Sequence, residues 1–376
     1  MRQRAAHGRL TARFALCVLV SLCRCLPVAA QTAAVASPPA PPQIKIGTTI
    51  FADATQVLEP SVRDTADHLY RPNAFNVTRA YVNVTGAFNP VFAFRVTSDI
   101  AREQSASDSL DGSYLVRLKY AYAQFTLDKW TGRFTETWVR FGLTPTPFVE
   151  GRDSIYRYRW QGPLMPESER LISSSDVGLS VHTAFPGGYG DAQVSLINGE
   201  GYQHPEVNNQ KALQGRVTVR PMAHADSEFL KALRLTVFYD DDHYMHDADR
   251  QRGFYGVTYE NHHANLGAEI VRSRDEVTPT TPVVKGTGWD VFATPFFKEK
   301  GHGPEALIRY DHWTPDSARP DLKERLVLGL SYWWTPAGST GLSAAVMLDY
   351  ESVTVSRALL PPPDQRRLTL HTVLTF

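Results

Sequence analysis

Past residue 25 the chain has no cysteine: Cys17, Cys23 and Cys25 are its only three. Once the first thirty residues are removed, disulfides, thiol nucleophiles and cysteine metal sites are all excluded. No later stretch approaches the roughly 18 uninterrupted apolar residues that a spanning helix needs. Apolar residues recurring at the helical period are nearly absent. No Gly-x-Ser-x-Gly nucleophile elbow occurs, and His262-His263 falls in a tight turn, a poor place for a catalytic base. A basic excess is lacking too. Setting aside the five arginines before residue 31 leaves 34 basic against 39 acidic residues, which gives nucleic-acid binding no electrostatic footing.

What is present begins with a targeting segment. Arg2, Arg4, Arg9 and Arg13 precede the short apolar run from Phe14 to Leu22, and Val28-Ala29-Ala30 supplies small residues for cleavage before Gln31. Residues 1–30 therefore read as a secretory signal peptide, and 31–42 as a flexible Ala/Pro-rich leader. From residue 43 to 376 the chain reads as strands almost without a break. The segments are 43–51, 75–88, 91–98, 114–126, 136–144, 172–184, 191–198, 211–222, 231–240, 253–260, 263–272, 286–298, 305–313, 323–335, 342–351 and 367–376, about sixteen in all.

Two patterns select the architecture. The gaps after odd-numbered segments are long, as at 52–74, 99–113, 145–171 and 352–366, and those after even-numbered ones are short, as at Asn89-Pro90 and Asn261-His262. Side chains alternate as well. Leu326, Leu328, Leu330, Tyr332 and Trp334 share one parity, as do Leu342, Ala344, Val346, Leu348 and Tyr350, with the aromatics at the strand ends where interfacial girdles sit. Long loops at one end, short turns at the other, an even strand count and an apolar outer face predict an all-β fold: a transmembrane antiparallel up-and-down β-barrel. The last nine residues agree. Leu368, Leu370, Leu374 and Phe376 fall on one parity against Thr369, His371 and Thr375 on the other. A terminal amphipathic strand ending on an aromatic resembles the C-terminal assembly signal of bacterial outer-membrane barrels. That places the protein in the bacterial outer membrane, among its lipids, with Phe376 as the signal read by the barrel-assembly machinery.

Three stretches resemble the phosphate-selective porin O/P family. They are Phe75 to Gly86; Tyr120-Ala121-Tyr122-Ala123-Gln124-Phe125 followed by Arg140-Phe141-Gly142-Leu143-Thr144-Pro145-Thr146-Pro147-Phe148; and Asn208-Asn209-Gln210-Lys211 leading to Gly215-Arg216-Val217-Thr218-Val219-Arg220-Pro221. The resemblance implies a sixteen-stranded, usually trimeric barrel passing anions. Phosphate itself does not follow from these motifs, and lysine is sparse.

With the apolar parity facing lipid, the other lines a lumen. Arg79, Arg95, Arg117, Lys119, Arg140, Arg216, Arg220 and Arg234 then form a basic wall, with Glu136 the only acid among them on the second to fifth strands. Glu260, Glu269, Asp290, Asp311, Asp349 and Glu351 form a more acidic wall beside Arg309 and Arg325. Arginine suits an anion path because it stays charged and presents a planar fork of donors. The third long loop, Pro145 to Leu171, is the constriction candidate. In an extended segment Arg157 and Arg159 would project together while Tyr156, Tyr158 and Trp160 pack on the wall, with Arg152 and Arg170 nearby. Asp240, Asp242, His243 and His246 lie in an acidic stretch expected to be an outer loop. They match no metal-loop spacing and read as solvated rather than as a metal site. No cofactor is implied. The leading function is an anion-preferring passive diffusion channel for small hydrophilic solutes. A weakly selective general porin, with charges paired across the lumen, and a plugged structural or adhesive barrel stay open; an enzyme is disfavoured.

Overall fold

The computed structural model describes residues 43–103, 111–335, 341–356 and 361–376; the expected signal segment and leader lie outside them. Sixteen antiparallel strands close into one barrel, each hydrogen-bonded to its neighbours in sequence and the last to the first. The first eight are β1 (Gln43–Glu59), β2 (Asn73–Ala87), β3 (Phe92–Arg102), β4 (Tyr114–Thr126), β5 (Thr135–Pro145), β6 (Ser175–Ala184), β7 (Gly190–Ile197) and β8 (Ala212–Val219). The second eight are β9 (Leu233–Met245), β10 (Ala248–Glu260), β11 (Ala264–Asp275), β12 (Val284–Pro295), β13 (Gly303–Thr314), β14 (Leu322–Trp334), β15 (Ser343–Ser356) and β16 (Gln365–Thr375). The seam runs from Thr49 opposite Thr375 to Val57 opposite Arg367. Phe376 extends it: its amide donates to the Thr48 carbonyl at 2.9 Å, and its own carbonyl accepts from the Thr48 amide at 2.6 Å. Closure matters because hydrocarbon offers no partner to an open sheet edge.

The alternation of faces follows the sequence. On β14, Leu328, Leu330, Tyr332 and Trp334 are exposed, whereas Val327, Gly329 and Ser331 are buried inward. Tyr332 and Trp334 pack ring to ring at 4.6 Å near the strand end, where an amphipathic ring spans the boundary between hydrocarbon and water. On β16, Leu368, Leu370, Leu374 and Phe376 are exposed, and Thr369, His371 and Val373 are buried.

Period two fails at bulges. Opposite Phe51 and Ala52 the register of β2 jumps from Arg79 to Val77, leaving Thr78 as the extra residue. Opposite Thr97 and Ser98, β4 jumps from Tyr120 to Leu118, leaving Lys119 extra. A bulge re-aims the side chains beyond it. Lys119 and Tyr120 consequently both face inward, and Tyr122 and Gln124 follow Tyr120. Glu136 lies in a third bulge with φ 52°, exposed, and Trp138 resumes the pairing.

Two connections depart from the expected alternation. β9 and β10 continue well past their expected ends and are joined by a turn at 246–247, with Asp240 opposite Arg252 and Asp242 opposite Arg250. The acidic stretch is therefore strand, not loop. At the turn end, β8 and β9 are linked by 220–232, which carries the short helix Glu228–Lys231. The remaining loop segments include a small hairpin pairing Val62 with Tyr70.

The lipid-facing assignment has a direct test. Leu330, 68 % exposed at mid-strand, should cost about 2–4 kcal/mol as Leu330→Arg and much less as Leu330→Ala. Urea titration of folding into lipid vesicles measures both, and equal stabilities would show that Leu330 does not face lipid.

Candidate functional site

The connection from β5 to β6 turns inward and runs as a belt along one side of the lumen. It opens with helix α1 (Pro147–Tyr156), started by a proline in its first turn, and continues through α2 (Met165–Ser168). Phe148 wedges against Phe254 on β10 and Phe238 on β9, with ring centroids at 4.8 and 5.4 Å. Gly151 allows the helix its close approach to β8, since a Cβ there would lie 3.1 Å from the Arg216 guanidinium. Arg152 pairs with Glu269 on β11 at 2.9 Å, and Asn265 donates to the Ile155 carbonyl at 2.8 Å. Tyr156 meets Phe292 on β12 edge-on at 5.2 Å. The Tyr158 hydroxyl donates to Glu305 on β13 at 2.7 Å and lies 2.9 Å from Ser331 on β14. Trp160 packs on Trp333 at 5.7 Å and on His371 of β16 at 6.2 Å. The segment walks strand by strand from β8 to β16.

Its arginines part company. The helix ends at Arg157 in a left-handed conformation, φ 65°, which aims that side chain at Glu305, 3.1 Å away. Arg159 turns back to Asp153 at 2.9 Å and to Glu167. An extended segment projecting both arginines together is thus replaced by a helix that separates them. Burial pushes the Asp153 carboxyl up. For Glu167 burial acts the same way, but the Arg159 charge and hydrogen bond outweigh it and hold that carboxyl below its usual value. Arg170 is exposed in a turn with φ 57°.

The acidic wall is buried, and its acids are paired partly by the belt and partly by neighbouring strands. Glu269, Asp290, Asp311, Asp349, Glu351 and Glu305 are each no more than 4 % exposed. Arg152 covers Glu269, Arg309 binds Asp311 at 2.6 Å, His371 lies 3.4 Å from Asp349, and Arg325 and Arg367 flank Glu351. Glu260 lies between Arg234 at 2.9 Å and Lys300 at 2.6 Å, both near the turn end.

The basic side is more open at Arg79 and Arg117, whereas Lys119 and Arg216 are buried. Arg79 and Arg117 keep about a third of their side-chain surface exposed and share one carboxylate, Asp99, which is fully buried. Sequence reading missed Asp99 because β3 continues past residue 98; its parity with Arg95 was the available signal. The Tyr202 hydroxyl, from the loop after β7, donates to Asp99 at 3.0 Å. Lys119 donates to the Tyr81 hydroxyl at 3.4 Å, and Arg95 lies over the Tyr120 ring at 4.6 Å. Among the described residues neither Lys119 nor Arg95 makes an ion pair, nor does Lys45 at the turn end. Arg140 pairs with Glu150 at 2.7 Å and Arg216 with Asp191. Arg220 sits past the end of β8 and donates to the Lys231 carbonyl at 3.2 Å. Asp240 and Asp242 point inward and buried, Asp242 to Arg250 at 3.1 Å; His243 has the opposite parity and His246 sits in the exposed turn. These four do not converge, and among the described residues no group of three or more His, Asp or Glu side chains is arranged to hold a metal ion.

Three cavities lie in the lumen and at its loop end. A vestibule of about 1290 Å³ at the loop end is lined by Glu169, Arg325, Glu351 and Arg367, and it shares Val57, Pro72 and Arg367 with a middle cavity of about 480 Å³. The middle cavity lies between Trp160 and Gln161 of the belt and Asp53, Asn76 and Arg79 of β1 and β2. A third of about 420 Å³ lies toward the turn end, lined by Lys45, Arg95, Tyr122 and Gln124.

Sixteen antiparallel strands closed around a loop-lined lumen define the architecture of the outer-membrane porins. Comparison with solved structures gives the same class. The anion-selective porin of Comamonas acidovorans matches with TM-score 0.57 at 11% identity over 89% of this chain and 100% of that one. The outer-membrane channel DcaP of Acinetobacter baumannii matches with TM-score 0.57 at 10% identity over 89% and 98%. The trimer form of OmpT from Vibrio cholerae matches with TM-score 0.52 at 11% identity over 90% and 100%. At such identities the likeness is one of fold. No family model and no curated protein matches the chain, so the resemblance to the phosphate-selective porins rests on its motif residues alone.

Arg152→Ala would leave Glu269 buried without its partner, beside Asp290. A broken buried pair costs about 3–5 kcal/mol. Here that strain should free the belt while the barrel stays folded, seen as new protease cleavage within 150–170 at unchanged heat-modifiability on gels. An uncut loop would mean that the pair does not hold it.

Proposed function

We propose that the protein is a porin of the bacterial outer membrane: a passive diffusion channel for small hydrophilic solutes, with a preference for anions. One observation carries the preference. The carboxylates of Glu269, Glu305 and Asp311 are buried and paired with Arg152, Arg157 and Arg309, whereas Lys45, Arg79 and Arg95 line the middle and turn-end cavities and Arg117 keeps about a third of its side chain exposed. A permeating ion feels charges along its own path far more than pairs neutralised behind a packed loop. Guanidinium groups there replace part of an anion's hydration without holding it, as permeation requires. The similarly folded Comamonas porin is anion-selective, which fits this reading. The trimer form of the Vibrio protein supports a homotrimer, with lipids against the remaining outer face and the Phe376 strand engaging the assembly machinery.

A weakly selective pore is the second reading. It is favoured by Asp99, Glu150 and Asp191, which neutralise part of the basic side at Arg79, Arg140 and Arg216. A plugged barrel is disfavoured by the cavities at the loop end, the middle and the turn end.

Reversal potentials across a salt gradient in planar bilayers separate the readings. Wild type should favour anions, Lys45→Ala/Arg95→Ala should lose most of that preference, and Asp290→Asn, buried beside Glu269, should retain it. Equal weak selectivity in all three supports the general porin, and absence of conductance in folded protein supports the plugged barrel.

A further inference from the structure

Within the middle cavity one charge runs against an anion path. Asp53 on β1 lies opposite Asn76 of β2 and His371 of β16 and faces the cavity. It accepts one hydrogen bond, from the Asn76 side-chain amide at 3.2 Å, and among the described residues it makes no ion pair. His371 is engaged with Asp349 instead. The arginines around it keep spare donors. Arg79, toward the turn end beyond the Thr78 bulge, reaches Asp99 and Tyr202 through one terminal nitrogen and is a third exposed. Arg367, toward the loop end, is half exposed. A bare carboxylate beside half-open guanidinium groups repels a simple anion while offering a hold for a cation. A solute that carries both an ammonium and a carboxylate can engage both at once. We infer that the middle cavity is a binding subsite for small zwitterions of the α-amino acid type, with Asp53 and Asn76 receiving the ammonium and Arg79 the carboxylate. The faces of Phe51 and Trp160, which line the same cavity, receive the side chain. The volume of about 480 Å³ falls within the roughly 300–1,000 Å³ usual for ligand sites. Because the solute's net charge is zero, the general field of the basic arc does not draw it in. Recognition is local, and Asp53 supplies what an anion-selective lumen otherwise lacks.

The inference rests on the channel reading only for its physiological meaning, so binding is measured apart from conduction. Folded protein in detergent micelles is titrated with L-serine, N-acetyl-L-serine (anion only) and L-serinamide (cation only), following tryptophan fluorescence. Serine should bind about two- to fivefold more tightly than either analogue, the scale of a partly exposed ion pair. Asp53→Asn should erase the preference over N-acetyl-L-serine, and Arg79→Gln the preference over L-serinamide. A preference that survives Asp53→Asn, or equal binding of serine and N-acetyl-L-serine to wild type, overturns the subsite. In bilayers serine should reduce the potassium chloride current of wild type and not of Asp53→Asn. Serine binding in micelles without any chloride current would overturn the channel reading and leave the subsite supported.

Discussion

A backbone amide facing hydrocarbon has no water to turn to, and each one left unpaired costs several kcal/mol. Everything else in this molecule is arranged around that constraint. The chain meets it by bringing its last strand against its first, so that β16 closes on β1 and even the terminal residue exchanges two backbone hydrogen bonds with Thr48. Closure fixes a cylinder with an apolar outside and a polar inside. The inside then has a problem of its own, because carboxylates on neighbouring strands are brought side by side in a confined space: Glu269 sits opposite Asp290, and Asp290 opposite Asp311.

The inserted belt answers that problem. By laying α1 and the Tyr156 to Trp160 segment over β9 to β16, it buries the acidic row beneath arginines and aromatic rings. The aromatic contacts supply packing in a region that water would otherwise fill, and the ion pairs set which strand each loop residue meets. The cavities that remain open are bordered by Lys45, Arg79 and Arg95, with Asp53, Glu169 and Glu351 among them. On the proposed channel reading, which carboxylates the loop covers weighs more in pore character than the count of charges facing inward.

The sequence showed the outer face well and the inner face poorly. Alternation of leucine with polar residues on β14 and β16 is dictated by lipid on one side and water on the other, so it can be read locally. The bulges at Thr78 and Lys119 insert a residue without changing composition, and parity counted through them sends Tyr120 and Tyr122 to the wrong side. The stretch from Asp240 to Asp249 looked like a loop because the top of a strand whose inner face is buried in charge pairs is as polar as a solvated connection. The partners of Arg152 and Arg157 lie more than a hundred residues away, and no spacing rule connects them to Glu269 and Glu305. Arginines and tyrosines marked the belt as a charged, aromatic loop. Its helix, and the divergence of Arg157 from Arg159, depended on a left-handed residue at the helix end that composition does not reveal.

The division of the lumen also separates two kinds of heritable change. Side chains under the belt are locked in one another's contacts, so replacing one is felt by those it touches. Partly exposed side chains on the other side, such as Asp53 with its single hydrogen bond from Asn76, are less tied in, so exchanging them costs the fold less. A lineage carrying this barrel can therefore vary the lining of its lumen by single steps at such positions while the belt keeps the wall behind it unchanged. Adaptation and structural integrity are assigned to opposite sides of the same cylinder.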